Sequence, residues 1–146
     1  MSTPLGIAAS LDTNILVRYI VKDDDRQSMV VAKVFEHHIR KSESLWVPVT
    51  VMLELEWVLR SRYKFSKTDV IRTMSGLLNT FELEFESEGA IEQALSSYED
   101  GIADFAECLH LALARKGNAL PFLTLDEKAS KASGARLPEI LIFLRP

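Results

Sequence analysis

Short apolar runs alternate with longer amphipathic stretches along this chain, and this alternation constrains the fold more than any other feature of the sequence. Runs of this length are typical of strands, and the stretches between them carry apolar residues at helical spacing. Strands that alternate with helices predict a parallel sheet with helices on both faces. We therefore expect an α/β fold, a three-layer α/β/α sandwich around a mostly parallel central sheet of four to five strands. The expected strands are Ile7–Leu11, Leu45–Val49, Phe81–Glu86, Pro121–Leu125 and Ile140–Leu144.

Local residues refine the expected positions of three of these strands. Ile7–Leu11 is short and apolar and is followed by Asp-Thr-Asn, which predicts a buried strand. Pro48 cannot donate to a neighbouring strand, so it should lie on an edge strand or at a strand end. Phe81–Glu86 alternates apolar and acidic residues, and this period of two predicts a strand near a sheet edge with one solvent-exposed face.

Amphipathic spacing and capping residues place the helices. Thr50 suits an N-cap for the helix after the second strand. Ser66 suits an N-cap for the next helix, with Asp69 three residues later in a capping-box position. Gly117, directly after two basic residues, is a typical helix stop. The expected helices are Thr13–Val21, Arg26–Lys41, Val51–Arg62, 67–79, Glu88–Glu99, Ala103–Lys116 and Glu127–Ser133.

Size and composition favour one cytoplasmic domain that spans residues 1–146. A chain of 146 residues can bury a core without disulfides, and its one cysteine, Cys108, excludes an intrachain disulfide and suits a reducing compartment. No secretory signal is evident, and no apolar stretch approaches the roughly 20 residues of a membrane helix. The formal net charge of −4 argues against a broad basic surface for nucleic acid, although a local one is compatible with it.

Four acids stand out because each one follows or interrupts an apolar run. They are Asp12, Glu54, Asp104 and Asp126. Ligand sites in parallel sheets lie beyond the carboxyl ends of strands, where Asp12 and Asp126 are expected. Two carboxylates at about 4 Å repel by roughly 4 kcal/mol at an effective dielectric constant near 20. A hard divalent cation with oxygen ligands is the usual compensation.

Glu54 gives the strongest local argument for a compensating cation. At 100° per residue it lies about 160° from Glu56, which is four residues before Arg60 and predicts a solvent-facing ion pair with it. Glu54 should then project to the other side of the helix, among apolar residues, where a lone charge is costly. Glu107 follows Asp104 by three residues, shares its helix face, and either joins the acids or is solvated.

Three of the four acids also have an ordinary structural interpretation. Asp12 and Asp126 both suit helix N-caps, and Asp104 suits a first-turn charge that offsets the helix dipole. Asn14 and Thr124 flank the first and last acids. They could orient these carboxylates from outside the ligand shell, or they could serve in turns and caps.

The acids lie in four short motifs whose order is specific. These are Leu-Asp-Thr-Asn-Ile-Leu-Val-Arg at 11–18, Leu-Glu-Leu-Glu-Trp-Val-Leu at 53–59, Ala-Asp-Phe-Ala-Glu-Cys-Leu at 103–109 and Thr-Leu-Asp at 124–126. With them the chain resembles the PIN-domain family, and within it the VapC-type toxins of bacterial and archaeal toxin–antitoxin pairs. The resemblance runs from about Leu11 to Leu144. Many relatives have Asp where this chain has Glu107, which keeps the charge on a longer side chain.

The resemblance implies a metal-dependent RNA endonuclease. It implies that Asp12, Glu54, Asp104 and Asp126 form the catalytic acidic quartet and hold Mg²⁺ or Mn²⁺, with Glu107 as a further ligand. It also implies a homodimer that a small VapB-like antitoxin neutralises. RNA must still approach an acidic pocket, and the cations that could contact its phosphates are Arg18, Arg60, Arg62, Lys64, Lys128 and Lys131.

Other functions remain open on the residues themselves. A phospho-receiver domain also gathers acids at strand ends, but it would have an acid pair after the first strand and a lysine after the last. A haloacid-dehalogenase-like phosphatase needs Asp-x-Asp, and position 14 is Asn. A catalytically silent PIN-like binding module and a DNA-cleaving nuclease complete the alternatives.

Overall fold

Parallel strands and α-helices alternate through most of the chain, in a computed structural model that describes residues 6–101 and 103–140. The α/β class with parallel strands is confirmed. The chain divides into two compact units, residues 1–88 and 89–146. The single domain expected over residues 1–146 stays a prediction. None of the helices in the described part of the chain is both long enough and apolar enough to span a bilayer.

The first unit is built on a three-stranded parallel sheet in the order β1-β2-β3. Its strands are β1 Gly6–Ser10, β2 Glu43–Val47 and β3 Leu83–Phe85. Leu45 lies opposite Leu83 in the register of β2 and β3. The helices of this unit are α1 Thr13–Ile20, α2 Asp25–Arg40, α3 Val49–Ser61 and α4 Lys67–Leu78.

The core of the first unit lies where α1, α3 and α4 carry their apolar faces. Its fully buried side chains recur at helical spacing along the helices and at every second position along β2. They are Leu16, Leu45, Val47, Met52, Leu55, Leu59, Val70 and Met74. Ser66 caps α4 as expected, because its Oγ accepts a hydrogen bond from the backbone N–H of Asp69 at 3.1 Å.

One expectation for the strands of this unit needs correction. The first strand is not buried, since β1 is mostly exposed and Ile7 retains 57% of its accessible surface. Pro48 lies one residue beyond β2, the central strand of the sheet, so its expected place at a strand end is confirmed. Pro48 therefore removes no ladder hydrogen bond. The alternation predicted for 81–86 holds over β3, where Leu83 and Phe85 are buried and Glu84 is exposed.

The start of α3 differs from the expectation. Pro48 is the N-cap and Val49 the first helical residue, so Thr50 lies inside the first turn and does not cap it. Proline suits a helix start, since its fixed φ and missing N–H cost nothing there. The N–H of Val49 is satisfied by the Glu86 carboxylate at 2.8 Å.

Over its described residues, the second unit contains two helices, a short parallel pair of strands and a 3₁₀ turn. α5 Glu88–Asp100 begins at the boundary and is followed by α6 Phe105–Lys116. β4 Phe122–Leu123 pairs with β5 Ala135–Arg136. The buried Phe105 packs edge-on against Tyr98, with ring centroids 5.8 Å apart.

Predictions for the second unit are less accurate than those for the first. The helix expected over Glu127–Ser133 is a single 3₁₀ turn, Ala129–Lys131. The strand expected over Pro121–Leu125 shortens to β4, and β5 was not predicted. The last expected strand, Ile140–Leu144, lies outside the described residues apart from Ile140.

Candidate functional site

Asp12 stands at the junction of β1 and α1. The N–H of Leu11 donates to the Trp46 carbonyl at 2.8 Å, which holds the end of the strand beside β2. Asp12 is the N-cap of α1, and its Oδ1 accepts from the N–H of Thr13 at 2.7 Å. Its side chain is exposed, and among the described residues its Oδ2 has no hydrogen-bond partner. Asp12 is therefore a cap whose second oxygen is available to a ligand.

Glu54 and Glu56 have the opposite orientations from those expected. Glu56 is 3% exposed and accepts from Arg60 Nε at 2.8 Å, whereas Glu54 is exposed. The reason is the position of the apolar face: Met52, Leu55 and Leu59 define it, and Glu56 lies within that arc. Glu54 is not the buried charge that the helix periodicity predicts; it is an accessible carboxylate on α3.

Asp104 is the N-cap of α6, and Oδ1 of its carboxylate accepts from the N–H of Glu107 at 2.8 Å. Asp104 is exposed and Glu107 is half-buried. The hydrogen bond fixes the two acids within one turn of each other. Within the described residues neither carboxylate has a basic partner, so both are open to a cation.

Asp126 organises the turn that follows β4. Its Oδ1 accepts from the N–H groups of Lys128 at 2.8 Å and Ala129 at 3.0 Å. Thr124 Oγ1 accepts from the backbone N–H of Asp126 at 3.1 Å, a bond that fits the turn interpretation as well as a role in orienting the acid. Asn14, which follows Asp12 by two residues, has an exposed side chain, and its orienting role stays a prediction.

The acids fall into two sets, one on each compact unit. Asp12 and Glu54 belong to residues 1–88, and Asp104, Glu107 and Asp126 belong to residues 89–146. Over residues 6–101 and 103–140, no three His, Cys, Asp or Glu side chains are grouped so that they could hold a metal ion. The convergence of the four acids stays a prediction.

The donor chemistry fits a hard divalent cation. The candidate ligands are carboxylate oxygens, which Mg²⁺ and Mn²⁺ prefer. Asp12, Asp104 and Asp126 each use Oδ1 for backbone N–H groups and keep Oδ2 without a partner in the described part of the chain. The backbone bonds fix the orientation of each carboxylate, which is the usual arrangement around a metal ligand.

Arg18 is held by its own unit. Its Nε donates to Gln27 Oε1 at 2.6 Å, and its guanidinium also pairs with Asp23 and contacts the Tyr63 hydroxyl at 3.4 Å. Desolvation lowers the pKa of Arg18. The Tyr63 hydrogen bond and the charges of Asp23 and Asp24 raise this pKa by more, so it lies above its ordinary value. Arg18 ties α1 to α2 as a permanent cation.

The other expected phosphate-binding cations differ in their surroundings. Arg60 pairs with the buried Glu56. Lys128 and Lys131 are exposed and line a cavity of about 390 Å³ in the second unit, together with Glu107 and Arg115. Arg115 was not among the expected cations.

The sequence does carry a signal for Arg115. It follows Cys108, Leu111 and Ala112 with the spacing of one helix face, and all four residues line the cavity. Its position in the last turn of α6 also fits the helix stop that the sequence predicts there.

Comparisons with known proteins cover the part of the chain that contains the four motifs. A family model described as the PIN domain matches residues 9–135. A VapC ribonuclease from Aquifex aeolicus (strain VF5) is 27% identical over 106 residues, which cover 73% of this chain and 78% of that protein. A crystal structure of Mycobacterium tuberculosis VapC20, a sarcin-ricin loop cleaving toxin, is 17% identical, with a TM-score of 0.39 over 84% of this chain and 93% of that one.

Proposed function

This chain belongs to the PIN domain family, and on that basis we propose that it is a divalent-metal-dependent endoribonuclease that acts as the toxin of a toxin–antitoxin pair. The observation that carries the proposal is that Asp12, Glu54, Asp104 and Asp126 all fall within the matched residues 9–135. The similarity to a VapC ribonuclease supports RNA as the substrate.

Asp12, Glu54, Asp104 and Asp126 would hold the metal, and Glu107 would contribute directly or through water. A divalent ion bound there would lower the pKa of a water near the scissile phosphate and offset charge on the leaving oxygen. The protein's own part is positional. Backbone N–H groups hold Oδ1 of Asp12, Asp104 and Asp126, and so restrict the rotation of each carboxylate.

Exposure of the acids suits a large substrate. Asp12, Glu54, Asp104 and Asp126 are all exposed in the structure, so a polynucleotide can reach them without local unfolding. RNA brings its own negative charge, and cations must offset the repulsion. Lys128 and Lys131 suit this role better than Arg18 and Arg60, which already have acidic partners on their own helices or turns.

Cleavage of a mixed RNA pool in the presence of Mn²⁺, with and without EDTA, tests the proposal. We expect Mn²⁺-dependent cleavage that EDTA abolishes, and little cleavage of single-stranded DNA. Cleavage that persists in EDTA would contradict metal dependence. Absence of cleavage under all conditions would favour a catalytically silent PIN-like binding module, and a stable aspartyl phosphate after incubation with acetyl phosphate would favour a phospho-receiver domain.

The proposed partners follow from the same family relationship. We propose a homodimer that a small VapB-like antitoxin neutralises, in the cytoplasm. Co-expression with the protein encoded beside this chain should relieve growth arrest and yield a complex that co-purifies. Purification as a monomer that no neighbouring gene product binds would contradict the toxin–antitoxin assignment while leaving the nuclease assignment intact.

A further inference from the structure

A cavity of about 390 Å³ opens within residues 89–146, beside acids of the proposed site. This volume lies in the range of about 300–1,000 Å³ that is typical of small-molecule sites. Five alanines contribute to the lining, and their short side chains leave the space between the helices and the strand pair open. The cavity therefore has room for one ligand group of moderate size.

One wall of the cavity is apolar and partly aromatic. Phe122, on β4, is half-buried and lines the cavity with Leu111 of α6. On another side, its ring lies 6.1 Å from the ring of His110, tilted by 31°. An aromatic side chain in a shallow apolar wall suits a flat ring system.

The charged groups of the lining favour an anionic occupant. Arg115, Lys128 and Lys131 provide three cations, against the single carboxylate of Glu107. Arg115 donates to the Ser133 carbonyl at 3.0 Å, which holds its guanidinium at the wall. This local excess of positive charge contrasts with the chain's net charge of −4. It occurs where an acidic nuclease needs contacts to phosphate.

Hydrogen bonds connect the lining to the proposed metal ligands. Asp126 accepts from the N–H groups of Lys128 and Ala129, and both residues line the cavity. Asp104 accepts from the N–H of Glu107, which also lines it. A ligand in the cavity would therefore lie next to two of the four acids.

We propose that the cavity receives one unstacked nucleotide of single-stranded RNA, an inference that rests on the proposed ribonuclease function. The base would lie against Phe122, and the flanking phosphates would contact Lys128 and Lys131. Gln93 and Ser97, which also line the cavity, offer hydrogen bonds to the edge of the base. A nucleotide carries both a flat ring for the aromatic wall and negative charges for the three cations, whereas a lipid chain or an apolar peptide does not.

Two adjacent serines on α5 allow a matched test. Ser97 lines the cavity and Ser96 does not, and both are exposed. Ser97→Trp should fill the cavity, whereas Ser96→Trp should leave it open. Binding is measured in EDTA, which prevents cleavage, with labelled RNA homopolymers of each base and an abasic strand of equal length.

We expect at least one homopolymer to bind the wild-type protein about ten-fold more tightly than the abasic strand. Ser97→Trp should abolish this difference, and Ser96→Trp should preserve it. A wild-type protein that binds all homopolymers no better than the abasic strand would overturn the proposal. A Ser97→Trp protein that keeps the full difference would do the same.

A charge variant provides an independent readout, which decides the question if Ser97→Trp does not fold. We measure the slope of log K for RNA binding against log salt concentration. The double variant Lys128→Ala/Lys131→Ala should make this negative slope shallower by about 1.4, the value for two phosphate contacts on a single strand. The control Lys33→Ala/Lys41→Ala changes the net charge equally at exposed positions of the first unit. Equal slopes in the two double variants would contradict the proposal.

Cleavage assays separate this inference from the proposed function. If Ser97→Trp keeps the base preference while the wild type cleaves RNA with Mn²⁺, the cavity proposal fails alone. If the wild type never cleaves RNA but Ser97→Trp abolishes the base preference, the ribonuclease proposal fails and the cavity remains a nucleotide-binding site.

Discussion

Arg60 donates from Nε to Oε2 of Glu56 at 2.8 Å across one turn of α3, and this Glu56 carboxylate is almost completely buried. The apolar side of α3 therefore carries the charge of the Glu56 carboxylate. Arg60, at the edge of this apolar side, offsets that charge. Glu54, two residues earlier, is exposed and has no such constraint. The two glutamates of one motif thus have separate roles, one in stability and one available for chemistry.

Removal of Arg60 should destabilise the protein more than removal of a surface arginine. Arg60→Ala leaves the buried Glu56 carboxylate undercompensated, and we expect a loss of about 2 kcal/mol in the free energy of unfolding. The matched control is Arg72→Ala. Arg72 pairs with the exposed Asp69 at 3.5 Å, and its loss should lower the free energy of unfolding by less than about 0.5 kcal/mol. Urea unfolding measures both. Equal losses would show that Arg60 is not what compensates the Glu56 carboxylate.

Substitution of the two glutamates should have opposite effects. Glu54→Gln should abolish RNA cleavage and leave the melting temperature unchanged, because the side chain is exposed and proposed as a metal ligand. Glu56→Gln should lower the free energy of unfolding by about 1–2 kcal/mol and keep cleavage in the folded fraction. Thermal melts and cleavage rates are compared for the same preparations. Full activity in Glu54→Gln would remove this residue from the site.

Asp12→Asn separates the capping role of this residue from its proposed chemical role. Asn caps helices about as well as Asp, so stability should change by less than about 0.5 kcal/mol. Loss of a metal-binding carboxylate should reduce the cleavage rate about a hundred-fold or more. Asp24→Asn is the control, since Asp24 caps α2 through the N–H of Gln27 and lies outside the acidic set. A similar loss of activity in the control would attribute the effect to capping.

Thr124 should affect metal affinity through Asp126. Thr124→Val removes the Oγ1 that accepts from the Asp126 N–H, and supporting contacts of this kind are typically worth about 10–100-fold in metal affinity or activity. The Mn²⁺ concentration for half-maximal cleavage should rise accordingly. Thr80→Val, which removes a hydroxyl bonded to the Gly76 carbonyl, should leave it unchanged. An unshifted Mn²⁺ titration in Thr124→Val would exclude this role.

Features set by local chemistry could be predicted from the sequence. The cap of α4 by Ser66 depends on one residue and the N–H groups that follow it. The alternation in β3 depends only on the period of two. The parallel arrangement followed from the order of strands and helices, because short connections allow few other topologies.

Features set by tertiary context could not be predicted in this way. Glu56 was expected to face solvent because it pairs with Arg60, but an ion pair of this spacing also fits the margin of an apolar face. β5 has two residues, Ala135 and Arg136, and two residues show no period. The exposure of β1 depends on which strands flank it, and the residues of β1 do not specify this.

The central claim is that acids distant in sequence act as one metal site, and a double-mutant cycle on cleavage tests it most directly. Asp12→Asn, Asp104→Asn and the double variant are compared at saturating Mn²⁺ on one labelled RNA. The effects of residues that act as a unit are not additive. The double variant should therefore be no less active than the less active of the two single variants. A double variant whose loss equals the product of the two single losses would show that the two carboxylates act independently, and would contradict the account.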